Sequence, residues 1–467
     1  MKHSTLPTLT QNAPGGAPMS APRTIAIDPL VDGQRIGAFS LNLLFWSFLA
    51  MFSDGYEINA MSLAAPELRA LWHIPDAAFT WALSASSFGI LLGAPLFGWL
   101  GDRLGRKPAI LASLVVCSVT TALVALARNR DQIVILRCLA GVGIGGLMPN
   151  TIALNSEMSP LRRRATLVVL MFVGVTLGGS LPGLVARWLL PTYGWTVLFE
   201  VGGLLAVLSA CGVWFCLPES VRFLAASNRR PAELRATARR MRPDLEIGPC
   251  DTWSITRTPA SNQPALRQLF APGLRLVTPL LWVCFATALM SNYFLNSWLP
   301  LLGSASGLTR ERVSTAAMLY NVGGAFGGVL MSVLMDRFGI AVSAVLFSLA
   351  VPSIALVGLT GMSGPALFPL IFLSGLTVLG AQFGNNAAAG MTYPTEFRAK
   401  AVGWALAVGR FGSLLGQILG GALIHLHVSP RGLFLGAAAP MLCGAAAAVG
   451  LIGRWRGGQT SREPPAS

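Results

Sequence analysis

Two carboxylates, Asp54 and Glu57, stand three residues apart inside FWSFLAMFSDGYEINAMSLAAP, an apolar run long enough to cross a bilayer. Each acid at a bilayer centre costs roughly 2.5–3.5 kcal/mol on insertion scales, so ionisable residues at that depth usually mark proton or substrate paths. A spacing of three puts both on one helix face. Two carboxylates held close in low dielectric do not both ionise readily, so the pair tends to keep a proton. Such a pair can load a proton on one side of a membrane and release it on the other.

Two arginines extend the set. Counting helix rise, Glu57 lies roughly 24 Å along a hydrocarbon core of about 30 Å, and Arg137 lies about 6 Å below the opposite edge. The levels agree, so a Glu57–Arg137 or an Asp54–Arg137 pair is allowed; it either tunes the proton site or fixes helix register as a buried ion pair. Arg410 sits roughly 14 Å into its own span, near the midplane, with no acid within two turns of that helix. A guanidinium there wants an anion: a substrate carboxylate bound bidentately, or an acid from another helix such as Asp54 or Glu57. Asn292, Tyr293 and Asn296 on one span, and Gln382, Asn385 and Asn386 on another, add polar groups. These amides either hydrogen-bond ring hydroxyls or join helix to helix. Tyr56, Tyr293 and Phe383 offer faces for a ring, or pack as ordinary helix residues.

The elements that must position these groups are legible from composition. Of 467 residues, 53% are hydrophobic and 11% charged, against about 25% charged in soluble domains, and the mean hydropathy is +0.62. Twelve apolar runs of helical length fall at about 39–63, 79–100, 108–127, 132–154, 166–190, 195–217, 275–302, 313–335, 340–360, 366–390, 400–424 and 432–453. The expected fold is an all-α membrane protein: twelve transmembrane helices in two pseudo-symmetric six-helix bundles, 37–217 and 275–453. A tail at 1–36, an Arg-rich linker at 218–274 and a tail at 454–467 complete the chain. Most of the 34 Lys and Arg fall in the tails, the linker and alternate short loops, which places both termini in the cytoplasm. A net charge of +15 therefore reads as topology signal, and no nucleic-acid partner is expected. The halves also repeat: GDRLGRK follows span 2 and MDRFG follows span 8, while Glu157 and Glu396 follow spans 4 and 10. Duplicated bundles of this kind bind substrate between the halves and alternate access.

GDRLGRK at 101–107 resembles the hallmark loop of the major facilitator superfamily. DGYE at 54–57, RCLAGVGIGGLMPNTIALNSEMSPLRRRATLVVLMFVGVTLGG at 137–179, YFLNSWLP at 293–300 and YPTEFRAKAVGWALAVGRFG at 393–412 are similar to the aromatic acid:proton symporters within it. The resemblance runs from about residue 25 to 455. It departs in two places: Glu57 stands where the family motif usually has Asp, and the second hallmark loop keeps Asp336 and Arg337 but lacks the basic pair that follows. It implies uptake of a benzoate- or hydroxybenzoate-type carboxylate across a bacterial inner membrane, with protons as the coupling ion and no other cofactor. It also implies a cytosolic gate, formed by Asp102, Arg103, Arg106, Glu157, Asp336, Glu396 and Arg398; the alternative, that such charges only set topology, is open for the Arg and Lys but not for Asp102, since acids contribute little to that signal.

Other features point nowhere. GVGIGG at 141–146 lies within a span, not between strand and helix, so its glycines read as close helix packing. The four histidines and seven cysteines show no metal-ligand spacing. No Walker loop or nucleophile elbow supports an ATP-driven pump or an enzyme. Glu200 either pairs with Arg187 or is exposed. The rival readings are a carrier of another organic anion, an efflux antiporter of the same fold, and an aromatic-acid receptor. The sequence leaves the oligomeric state open and is compatible with a monomer.

Overall fold

The computed structural model describes residues 23–73, 79–245, 247–248, 251–254, 268–271, 273–362, 364–393 and 398–460. Twelve long helices run through them: α1 Ala38–Trp72, α2 Phe79–Leu104, α3 Arg106–Val124, α4 Arg130–Met158, α5 Arg164–Trp188, α6 Thr196–Cys216, α7 Val277–Ala305, α8 Arg310–Phe338, α9 Ala341–Leu359, α10 Leu367–Thr392, α11 Arg398–His425 and α12 Pro430–Thr460. Eleven of these are long and apolar enough to cross a membrane; α1 is not among them. The expected twelve apolar spans are thus eleven by this measure. The reason is local, because α1 carries both acids and buries Ser40, Ser47, Ser53 and Asn59 besides. It is shielded by packing, lying against α5, α6 and α7.

The helices divide into an N half, α1–α6, and a C half, α7–α12, with one pairing scheme used twice. α1 packs on α5, α2 on α4 and α3 on α6; likewise α7 packs on α11, α8 on α10 and α9 on α12. Glycine permits the closest of these crossings. A Cβ at Gly178 of α5 would overlap the Phe52 carbonyl of α1, and one at Gly412 of α11 would overlap the Ala286 carbonyl of α7. The halves meet along α5–α8, α2–α11 and α1–α7.

Described parts of the expected tail and linker, within 23–36 and 218–254, form one small folded unit beneath the N half. Strand β1, Thr24–Ala26, pairs in parallel with β2, Thr252–Ser254. The short helix Ile27–Asp32 and two linker helices, Val221–Ser227 and Pro231–Met241, bury Ile27, Leu30, Val31, Val221, Leu224, Leu234 and Met241 in a core shared with Leu43, Leu154 and Met158. Polar ties fix it: Arg222 pairs with Asp28, Asp32 accepts from the Leu161 amide at 2.9 Å, and Gln34 donates to the Met158 carbonyl at 2.8 Å. The end of the molecule that carries this unit is called the linker end below, and the opposite end the distal end.

Candidate functional site: a cavity between the halves

A cavity with about 750 Å³ of empty space, part of it open to solvent, lies between the halves. The N half gives it Gly55, Ile58 and Asn59 from α1, Met148 from α4 and Phe172, Val175 and Thr176 from α5. The C half gives Leu289, Asn292, Tyr293 and Asn296 from α7, Asn321 from α8, Leu379, Gln382, Phe383 and Asn386 from α10, and Leu406 and Arg410 from α11. The walls alternate apolar and amide groups, with one cation.

Arg410 holds the polar side. Its Nη1 donates to the Tyr293 hydroxyl at 2.9 Å and its Nη2 reaches the Met148 sulfur, across the halves, at 3.3 Å. A thioether is a weak acceptor, and Arg410 makes no salt bridge with a described residue. Asp54 is the acid within its electrostatic reach. That carboxyl is 1% exposed, and its Oδ1 has no hydrogen-bond partner among the described residues.

The amides form a chain. Asn292 donates to Gln382 at 3.2 Å and accepts from the Tyr320 hydroxyl at 3.0 Å and from Asn296 at 2.7 Å. Asn321 donates to Asn296 at 3.2 Å and to Asn59, in the other half, at 3.5 Å. Phe172 and Phe383 meet edge to face across the halves, ring centroids 6.4 Å apart, on the linker side of the cavity.

Several expected residues are elsewhere. At 100° per residue, Glu57 lies about 150° round α1 from the face made by Gly55, Ile58 and Asn59. It turns into the N half and pairs with Arg137 at 3.2 Å, while Arg137 Nη2 also donates to the Glu57 carbonyl at 3.0 Å. Both side chains are at most 2% exposed, and among the described residues neither Glu57 Oε1 nor Arg137 Nε has a partner within hydrogen-bond geometry. Of the two pairings allowed by depth, this is the one the structure forms. Tyr56 also faces away, its hydroxyl donating to the Leu198 carbonyl at 2.8 Å. Asn385 leaves the cavity to its neighbours and bonds the Cys284 carbonyl at 2.9 Å; for this amide the helix-joining reading is the observed one.

At the linker end, Arg106 bridges Asp102 at 2.5 Å and Glu157 at 3.2 Å. Arg103 is not in that network; its guanidinium lies 4.5 Å over the Trp99 ring. All these groups belong to the N half. Asp336 and Arg398 lie at the linker ends of α8 and α11 with side chains outside the described set, and Glu396 lies outside the described residues. Sequence reasoning missed Glu219. It is fully buried beneath α3 and accepts from the Arg106 amide at 2.9 Å and the Lys107 amide at 3.3 Å, while Glu157 accepts from the neighbouring Ser220 hydroxyl. Burial holds the Glu219 carboxyl above its ordinary pKa, and those amides pull against that shift. Gly105, at φ +115°, leaves the room this carboxylate needs. An acid directly after an apolar span, in an otherwise basic stretch, was the available signal.

The distal end is held differently. Arg187 of α5 pairs with Glu311 of α8, and Arg310 of α8 pairs with Glu67 of α1. Among the described residues, these are the ion pairs that join the halves. Glu200, left open between pairing with Arg187 and exposure, is exposed.

A family model described as the Major Facilitator Superfamily matches residues 44–388 and 281–466. The chain belongs to that superfamily. A gallate transporter of Pseudomonas putida is 33% identical over 89% of this chain and 92% of its own length. The 4-hydroxybenzoate transporter PcaK of the same organism is 32% identical over 87% and 91%. A benzoate transport protein of Acinetobacter baylyi is 30% identical over 90% and 91%. Among solved structures, the xylose transporter XylE of E. coli, in a partially occluded inward-open conformation, superposes with a TM-score of 0.67 at 14% identity, covering 88% of this chain and 98% of that one. The superfamily member described here is accordingly a multi-pass membrane protein with the two-bundle fold of those transporters.

Proposed function

We propose that the chain is a proton-coupled secondary transporter that takes up an aromatic carboxylate through alternating access. Arg410 carries this reading: a cation in a mid-membrane cavity, without a salt bridge to any described residue and backed by a tyrosine hydroxyl, is the complement of a carboxylate in low dielectric. Phe172 and Phe383 supply apolar faces for a ring, and the relatives named for gallate, 4-hydroxybenzoate and benzoate agree with that chemistry.

The Lys and Arg distribution supports a cytoplasmic linker end in a bacterial inner membrane. On that orientation, ion pairs at the distal end support an inward-facing, outwardly closed state. Coupling follows from Asp54. Ionised, it competes with a substrate carboxylate for the field of Arg410; protonated, it leaves Arg410 to the substrate. Glu57 and Arg137 form the second part of the proton machinery, held beside it in the N half. The Asp102–Arg106–Glu157 cluster, extended by Ser220 and Glu219, acts as the N half's part of the cytosolic gate.

The test is uptake of labelled 4-hydroxybenzoate by proteoliposomes under an imposed inward proton gradient. Accumulation that collapses with a protonophore is the expected result. Uptake indifferent to the protonophore would remove the proton, and no uptake of any aromatic acid would remove the substrate class.

A further inference from the structure

The contact between Asn59 and Asn321 has no role in the reading above. The two amides come from opposite halves, are 6% and 4% exposed, and line the same cavity as Arg410. Their bond, at 3.5 Å, lies at the outer limit for an N–H···O interaction, so it yields easily to a better partner. The rest of the chain is firmly held: Asn296 is fixed by Asn292, and Asn292 by Tyr320 and Gln382. Within this chain of amides, Asn321 Oδ1 is the one oxygen that receives no donor from a described residue. Tyr293, the partner of Arg410, and Asn296, the partner of Asn321, are one turn apart on α7, about 4.5 Å along the helix axis. That spacing is on the scale of one benzene ring.

We infer that the Asn59–Asn321 contact reads a hydroxyl on the substrate ring, opposite the carboxylate held by Arg410. A phenol hydroxyl both donates and accepts. It donates to Asn321 Oδ1 and accepts from Asn321 Nδ2, replacing the long bond to Asn59. The inference rests on the aromatic-carboxylate reading of the cavity and adds which ring the cavity prefers and which residues decide it. A site whose polar groups are orphaned by the wrong ligand discriminates by 10⁴–10⁵. Here the amides fall back on each other, so the expected preference is on the order of tenfold, one neutral hydrogen bond. The alternative is that Asn59 and Asn321 only join α1 to α8, as amides do between membrane helices.

The experiment is equilibrium titration of the purified full chain with benzoate and with 4-hydroxybenzoate, followed by tryptophan fluorescence. The wild type should bind 4-hydroxybenzoate about tenfold more tightly. Asn321→Leu should bring the ratio of the two affinities close to one, by weakening 4-hydroxybenzoate and leaving benzoate within about threefold, whereas Asn59→Leu, which removes only the fallback partner of Asn321, should keep the ratio or raise it. Should Asn321→Leu not fold, Asn321→Ala removes the amide without added bulk and reads the same ratio. A ratio unchanged in the Asn321 variants, a ratio that falls to one in Asn59→Leu, or a wild type that binds both rings equally overturns the inference and leaves the carboxylate reading intact. A wild type that binds neither acid overturns both.

Discussion

In the N half, the charged groups of the membrane interior are turned away from the cavity. Glu57 and Arg137 face each other inside the bundle, and Asp54 stands buried beside the cavity face of α1. In the C half, α7 and α10 occupy the corresponding places in the pairing scheme and present neutral amides to the cavity, with one cation on α11. One scaffold, used twice, thus separates two kinds of work. Ionisable pairs need a dry, enclosed setting to influence each other strongly, whereas a ligand site needs groups that can exchange partners. The field between Arg410 and Asp54 is where the two settings meet.

The comparison breaks first at Arg410. Arg410→Ala should lower concentrative uptake more than 100-fold, and Arg410→Lys, which keeps charge without the planar fork, should weaken binding of carboxylates about tenfold. Unchanged affinity in Arg410→Lys, measured by titration, would remove the carboxylate anchor from the C half. The next effect belongs to the N half. Glu57→Leu strands a buried arginine and should destabilise the protein by about 3–5 kcal/mol, read as a lower melting temperature in detergent. Adding Arg137→Leu should restore most of that loss without restoring proton-driven accumulation. Recovery of both would make the pair a structural fixture. Glu57→Gln should keep counterflow exchange while losing uptake against a gradient; a variant that still concentrates substrate would move the proton role to Asp54 alone.

Much of this division was legible in the amino-acid sequence, and the gaps have physical causes. Long apolar runs with a repeated loop are enough to give the helices and the two halves, because bilayer thickness dictates their length. Arg410, Asn292 and Gln382 could be found as polar residues at the right depth. Depth alone does not say which way a side chain points, so Tyr56 and Asn385 were grouped with a cavity they do not line. Asn59 and Asn321 were missed because a single amide in a span looks like helix glue until its partner in the other half is visible. The Arg187–Glu311 pair joins residues 124 positions apart and lies beyond any local pattern.

Two smaller effects sharpen the picture. Each distal ion pair is partly exposed and contributes on the order of 0.2–1 kcal/mol. Glu67→Gln combined with Glu311→Gln should therefore raise the outward-open population only a few-fold, seen as faster thiol labelling of a cysteine placed at Ser314, which is buried against Gly183 of α5, and high salt should mimic it without those two substitutions. Salt-insensitive labelling would deny these pairs a latching role. Smallest of all, Asn385→Leu should leave the 4-hydroxybenzoate to benzoate ratio unaltered while lowering thermal stability slightly, because its amide serves the α7 backbone. A shifted ratio would return Asn385 to the cavity.

The parallel pairing of β1 with β2 also sets a timetable for biogenesis. Its partners are 228 residues apart, with all six helices of the N half between them. At about 5–20 residues per second of synthesis, the first strand waits roughly 10–45 s for its mate. By then the six helices have left the ribosome, and the strand's closure ties the start of the chain to its middle. The N half can therefore be finished and fastened as a unit while α7 is only beginning to emerge, so a nascent chain stalled once Ser254 has cleared the ribosome's exit tunnel should already hold a protease-resistant N half.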